Sequence, residues 1–121
     1  AVLIAAYDDS QGVTAQFNLN ILARINRDLN ADFNRASFRH RAVFNAERDR
    51  IEMHLVSLSD QQVRIGALDL VVRFSEGELI HTENCYKHSL AGMQSLLTRH
   101  GFEVQQPFTD RQNQFCLFLI R

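Results

Sequence analysis

The sequence predicts an α+β protein in which N-terminal helices pack on an antiparallel β-meander, followed by one more helix and a closing β-hairpin. Three observations carry this expectation. Apolar residues recur every four positions between Thr14 and Leu29, every two between Arg50 and Phe74, and at helical spacing again after Ser89. The connections between these segments are short, which suits antiparallel neighbours and leaves no room for parallel crossovers. The 121 residues include one proline and five scattered glycines, with no linker-like stretch or internal repeat, so length alone suits one domain.

The first helix is expected from about Thr14 to Leu29. Phe17, Ile21, Ile25 and Leu29 form its apolar stripe, Leu22 widens it, and Asn20, Arg24, Arg27 and Asp28 fall on the wet side. Asn30-Ala31-Asp32 ends it, and Asp32 is placed to cap a short second turn carrying Phe33 and Phe38. In the middle, Ile51, Met53 and Leu55 alternate with Arg50, Glu52 and His54, the pattern of a half-buried strand. Val63 and Ile65 open another, and Leu68, Leu70, Val72 and Phe74 continue the alternation past Gly66. Ser75-Glu76-Gly77-Glu78 is turn chemistry and leads into the unusually polar strand Leu79–Tyr86. Ser89 then caps a helix holding Leu90, Met93, Leu96 and Leu97, with Gly101 where a left-handed C-terminal residue belongs. Phe102–Phe108 and Gln114–Ile120 form the closing strands. The last, Phe-Cys-Leu-Phe-Leu-Ile, is apolar on both faces and wants cover on both sides.

Composition narrows the function classes. With 45% apolar and 22% charged residues, the chain is no disordered tail, collagen-like repeat or disulfide scaffold. Thirteen Lys and Arg against fourteen Asp and Glu leave a net charge of −1, so no global field recruits nucleic acid or anionic lipid. The basic cluster Arg35, Arg39, His40 and Arg41 is balanced by Glu47 and Asp49 and reads as a solvated face. The longest uncharged apolar run, residues 115–120, is too short to cross a bilayer. Cys85 and Cys116 lack the paired spacing of zinc or redox motifs, so free thiols in a reducing, cytoplasmic compartment are expected. The opening Ala-Val-Leu-Ile-Ala-Ala-Tyr-Asp-Asp is no secretory signal. Its apolar start without a methionine suggests a piece of a longer chain, although removal of a methionine before Ala1 leaves the same start.

The residues that could carry chemistry are few. No two glycines lie within three residues of each other, so no phosphate-cradling loop can be written, and nothing places a nucleophile beside a base. His81, Cys85 and His88 suggest a metal, but His81 and Cys85 lie four residues apart, about 13 Å along a strand, whereas zinc ligands converge within about 2.3 Å of the ion. No metal site is expected there. Glu83 is more informative, because strict alternation places it on one face with His81 and Cys85. A carboxylate there needs a donor or solvent, so it is either the partner of one of the many arginines or the wall of a pocket. Glu83 and Cys85, roughly 7 Å apart by the i, i+2 rise, could contact two polar atoms of a small planar ligand. Met53 is core filler or an adaptable pocket surface. Tyr7 is an amphipathic core residue or a phenol that bonds a ligand.

Four segments, taken together, resemble one family. They are residues 6–33 (AYDDSQGVTAQFNLNILARINRDLNADF), 47–55 (ERDRIEMHL), 80–89 (IHTENCYKHS) and 101–121 (GFEVQQPFTDRQNQFCLFLIR). The family is the histidine-specific, S-adenosylmethionine-dependent methyltransferases, and the likeness covers only the C-terminal part of its length. The resemblance implies that residues 1–87 are a substrate-binding domain inserted into a methyltransferase fold, and that 88–121 are the last helix and hairpin of its Rossmann-like core. It implies methylation of the α-amino group of L-histidine, as in ergothioneine biosynthesis, with S-adenosylmethionine bound by an upstream part and this piece inactive alone. It further implies that Tyr7 holds the amino acid's backbone polar groups, that Met53 lines the side-chain pocket, and that Glu83 accepts a hydrogen bond from the imidazole. Cys85 stands where such enzymes carry a serine that bonds the ring, and a thiol is the weaker partner. No catalytic general base is implied here. The competing expectation is a small non-catalytic α+β binding module, joined as a homodimer through exposed strand edges.

Overall fold

The computed structural model describes residues 2–121, the side chain of residue 2 apart. Two compact units divide the chain, Ala1–Tyr86 and Lys87–Arg121. In the first, a short helix α1 (Val2–Ala5) precedes the long helix α2 (Val13–Leu29). Gly12 sits before α2 at φ 71° and has no side chain to cap it. That role falls to Asp9, whose Oδ2 accepts the Val13 N–H at 3.0 Å and whose Oδ1 accepts the Thr14 N–H at 2.9 Å. The Thr14 amide, then that of Val13, hold the Asp9 carboxyl down at about 2. At the other end Asn30 enters the left-handed region at φ 49° and donates its backbone N–H to the Asn26 carbonyl.

The helix is turned from the orientation its apolar stripe suggests. Asn18 and Leu22 are the buried residues, and Leu19 and Ile25 pack against the core, while Phe17 is 67% and Ile21 40% exposed. The physical reason is Asn18. Its amide Nδ2 reaches His40 Nδ1 at 2.9 Å and the His54 carbonyl at 3.1 Å, two acceptors found only beneath the helix.

After α2, Asn26 clamps the chain at Phe33 in both directions, amide to carbonyl and carbonyl to amide, at 2.8 Å each. The turn at Arg35–Ser37 is capped by Asn34 and not by Asp32, whose Oδ1 is drawn across to the Arg64 N–H at 2.7 Å. Phe38 belongs to a strand and not to that turn. Five strands follow: β1 (Phe38–Asn45), β2 (Arg50–Ser57), β3 (Gln61–Ile65), β4 (Leu70–Phe74) and β5 (Leu79–Tyr86). All pair antiparallel, but they do not run as one meander. β1, β2 and β5 form one sheet in that order, and β3–β4 is a separate two-stranded excursion. β2 is therefore central, and only Glu52 along it escapes full burial. Leu68, which alternation assigns to a strand, lies in the single turn Gly66–Leu68 that reverses the excursion. Gly66 is required there: a Cβ would come within 2.8 Å of the Asn30 carbonyl oxygen, which accepts the Gly66 N–H at 3.0 Å.

The main core gathers Leu22, Phe33, Phe38, Leu55, Val63 and Phe74 between α2, the sheet and the excursion. Phe33, Phe38 and Phe74 meet pairwise at ring separations of 5.6 to 6.2 Å, within the favourable range for aromatic contacts. In the second unit, helix α3 (Leu90–Arg99) begins at Ser89, whose Oγ accepts the Gly92 N–H at 3.0 Å, and closes at Gly101 with φ 84°. Strands β6 (Val104–Thr109) and β7 (Cys116–Ile120) form its hairpin. Phe115, Leu117 and Leu119 are each more than half exposed, so one face of the apolar strand is uncovered among the described residues, while Cys116 and Phe118 on the other are partly buried.

Because the Asp9 carboxyl titrates lower in the folded chain than the usual 3.8, its contribution is present above that ordinary value and disappears as pH falls towards 2. Asp9→Ala is expected to lower the thermal midpoint at pH 6, read by circular dichroism, and the gap from the parent should narrow as pH is lowered to 2.

Candidate functional site

The candidate site is built on the β2–β5 pairing, and one irregularity decides its geometry. Ile51 faces Cys85, Glu52 faces Asn84 and Met53 faces Glu83, but His54 faces His81, so Thr82 is an extra residue on β5. At the bulge the Thr82 hydroxyl donates to the Met53 carbonyl at 2.9 Å. Paired residues share a face. Glu83 and Cys85 thus lie with Ile51, Met53 and Leu55 on the helix-covered side, whereas His81 turns to the opposite side with Glu52 and His54. Strict alternation, which groups His81 with Glu83 and Cys85, fails at this one residue.

Tyr7 and Cys85 pack against the small cluster of Ala42, Ile51 and Met53, and the Tyr7 hydroxyl donates to the Cys85 sulfur at 2.8 Å. Met53, 3% exposed, backs the site from beneath. Tyr7 is held from behind as well. Its backbone carbonyl accepts from His40 Nε2 at 2.7 Å, and His40 Nδ1 accepts from the Asn18 amide. A carbonyl can only accept and an amide nitrogen can only donate, so the ring is the neutral tautomer with its proton on Nε2. Asn18, His40, Tyr7 and Cys85 therefore form one chain of hydrogen bonds from α2 through β1 to β5. Sequence reasoning placed His40 in a basic cluster and passed over Asn18. The available signal was a polar residue on the line that a helix turns to its core.

Glu83 lies at the edge of this group. Its carboxylate makes no ion pair among the described residues. It lines a cavity of about 220 Å³ with Phe17, Asn18, Asn20, Ile21, Arg24 and Thr82. Arg24, which lines the same cavity, pairs with Asp28 at 3.4 Å. Of the four residues singled out from sequence, Tyr7, Met53 and Cys85 are brought together, Glu83 shares their face, and Glu83 alone lines the cavity. The exposure of Phe17 and Ile21 follows directly, since they form its apolar wall. A wider depression of about 590 Å³ in the second unit is lined by Glu103, whose carboxylate is already bound by Arg121, and by uncharged residues.

On the reverse face the Arg50 guanidinium bonds the Glu52 carboxylate and the Tyr86 hydroxyl, and lies over the Tyr86 ring. The Arg50 contact, then the Asn45 amide, pull the Glu52 carboxyl below its usual range. Burial, then the neighbouring His81, push the His54 imidazole below the usual histidine value.

The profile of one family, described as histidine-specific methyltransferase, SAM-dependent, matches residues 1–121. The chain belongs to that family. It is 45% identical over 119 residues to the histidine N-alpha-methyltransferase of Mycobacterium tuberculosis (strain CDC 1551 / Oshkosh), covering 98% of this chain and 37% of that protein. It is 43% identical over 117 residues to the histidine N-alpha-methyltransferase of Mycolicibacterium smegmatis (strain ATCC 700084 / mc(2)155), covering 97% of this chain and 36% of the relative. The chain thus spans little more than a third of the length of these relatives.

Replacing His40 by alanine strips the Asn18 amide and the Tyr7 carbonyl of a buried partner and should destabilise the fold by about 1–3 kcal/mol in urea denaturation. His40→Gln carries an amide N–H near the Nε2 position and should recover much of that loss.

Proposed function

We propose that this chain supplies the substrate-recognition part of an S-adenosylmethionine-dependent N-methyltransferase acting on the α-amino group of L-histidine, the chemistry of ergothioneine biosynthesis. The observation that carries the reading is Glu83, a carboxylate without an ion pair among the described residues, aimed along a small cavity with apolar walls. At about 220 Å³ the cavity falls below the range of roughly 300–1,000 Å³ that suits drug-sized ligands, which favours a single amino acid. An imidazole N–H donated to Glu83 satisfies that charge. An apolar side chain in its place leaves the charge desolvated and unpaired, at a cost of kcal/mol and not tenths.

The other residues take supporting roles. Tyr7 meets the amino acid's polar backbone groups, and the hydrogen bonds from Asn18 through His40 fix where its ring stands. Met53 closes the floor, and Cys85, already bonded by the Tyr7 hydroxyl, borders the ring position. S-adenosylmethionine supplies an electrophilic methyl group. The residues present do not build a site for it, because the five glycines are isolated from one another and no phosphate- or nucleotide-cradling loop is formed. What this chain contributes is alignment of a neutral amine, the positioning part of catalysis. On this reading residues 1–87 are the substrate-binding domain of a cytoplasmic enzyme. Residues 88–121 close the methyltransferase core, which explains why β7 is apolar on both faces.

In the full-length enzyme, Glu83→Ala should raise the dissociation constant for L-histidine more than tenfold in calorimetry while changing that for S-adenosylmethionine less than twofold. Equal losses would reassign Glu83 to a structural role. The isolated 121 residues should give no methylated histidine with S-adenosylmethionine, and detection of that product by mass spectrometry would refute the division of labour.

A further inference from the structure

We propose that Glu52, His54 and His81 form a second binding site, on the face of the sheet opposite the candidate substrate site, for a divalent transition-metal ion of the zinc type. The bulge at Thr82 creates it. By turning His81 away from Glu83 and Cys85, it sets that ring beside His54, with ring centroids 4.7 Å apart, and leaves one donor atom from each of the three residues within 4.8 Å of the others.

One oxygen of Glu52 and one nitrogen of His81 are already committed elsewhere, which leaves the other donor of each for a metal. Glu52 Oε1 accepts from Arg50 Nη2 at 2.6 Å, Arg50 Nε at 2.8 Å and Asn45 Nδ2 at 2.9 Å. Its other oxygen, Oε2, faces His54 Nε2 at 3.7 Å, too far for a hydrogen bond. His81 Nε2 lies 3.2 Å from the Glu83 carbonyl and donates to it, which leaves Nδ1 as the nitrogen with a lone pair. An imidazole anchored through one nitrogen to a backbone carbonyl, and a carboxylate anchored through one oxygen, are how outer partners orient metal ligands. The third ligand gives the independent sign of a missing partner. Neither ring nitrogen of His54, whose side chain is 9% exposed, makes a hydrogen bond among the described residues: Nε2 faces Glu52 Oε2 at 3.7 Å and Nδ1 is enclosed. Buried ring nitrogens are seldom left so.

The donor set selects the ion. Two imidazoles and one carboxylate suit zinc, cobalt or ferrous iron and not magnesium or calcium, which take oxygen ligands. Three protein ligands leave a coordination position open. Bonds near 2.0–2.2 Å require the donors to draw closer together, and His81 is the exposed member of the three. Arg50, bonded to Glu52, and Arg41, opposite His54 in register, set positive charge against the ion, so exchangeable binding is expected and not a tightly held structural metal.

The site does not depend on the proposed methyl transfer, and its test reads metal alone. Tag-free, metal-stripped full-length protein is titrated with cobalt(II), following the visible absorption of the bound ion, and with zinc by calorimetry. One equivalent should bind. His81→Ala and His54→Gln should each weaken binding at least tenfold, with His100→Ala, outside the cluster, as an unaffected control. Absence of cobalt absorption up to millimolar metal, or equal affinity in parent and His81→Ala, would overturn the proposal. The exposed position of His81 keeps its variant informative if His54→Gln fails to fold.

Discussion

One residue too many on β5 governs what the sheet presents on each side. Thr82 has no opposite number on β2, and its hydroxyl donates to the Met53 carbonyl. That single hydrogen bond stabilises a change of phase. Before it, Ile80 points into the main core beside Leu55; after it, Glu83 and Cys85 point to the same side beside Met53 and Ile51. A strand in perfect alternation could offer Ile80 to the core or Glu83 to the cavity on that face, but not both.

The bulge places a carboxylate under a helix, and the helix is shaped to receive it. α2 gives up some apolar burial to satisfy Asn18, and that rotation leaves Phe17 and Ile21 standing over Glu83. Asn18 is also the first member of the chain that runs through His40 to the Tyr7 carbonyl, so the helix orientation and the Tyr7 position are set by one set of hydrogen bonds. Tyr7, Met53 and Cys85 are packed together, with Tyr7 hydrogen-bonded to Cys85, and Glu83 lies beside the open cavity. This suits recognition in which the ligand provides the one missing donor.

Much of the fold is legible in the sequence. The period-four run at α2, the Ser89 cap, Gly101 and the closing hairpin need only local rules, and local rules describe them. Failures occur where a distant partner outweighs a local preference. β1 is hidden because Arg39, His40 and Arg41 look like one charged patch, although alternation sends His40 inward and its two neighbours outward. Asp32 looks like a cap and instead bonds Arg64 across the chain. The strand order escapes sequence reading because β5 reaches past the β3–β4 excursion to pair with β2. Family resemblance singled out Tyr7, Met53, Glu83 and Cys85, and the fold places all four on one face of the sheet or against it. The geometry was not legible, since nothing in the string His-Thr-Glu-Asn-Cys marks Thr82 as the residue that falls out of register.

The central claim is that a carboxylate with no ion pair among the described residues reads a ring N–H. Calorimetric titration of the full-length protein with L-histidine and with L-phenylalanine, a ring amino acid lacking that donor, tests it most directly. The account predicts that phenylalanine binds at least a hundredfold more weakly, because it buries the Glu83 charge without a partner. Comparable affinities for the two amino acids would contradict it.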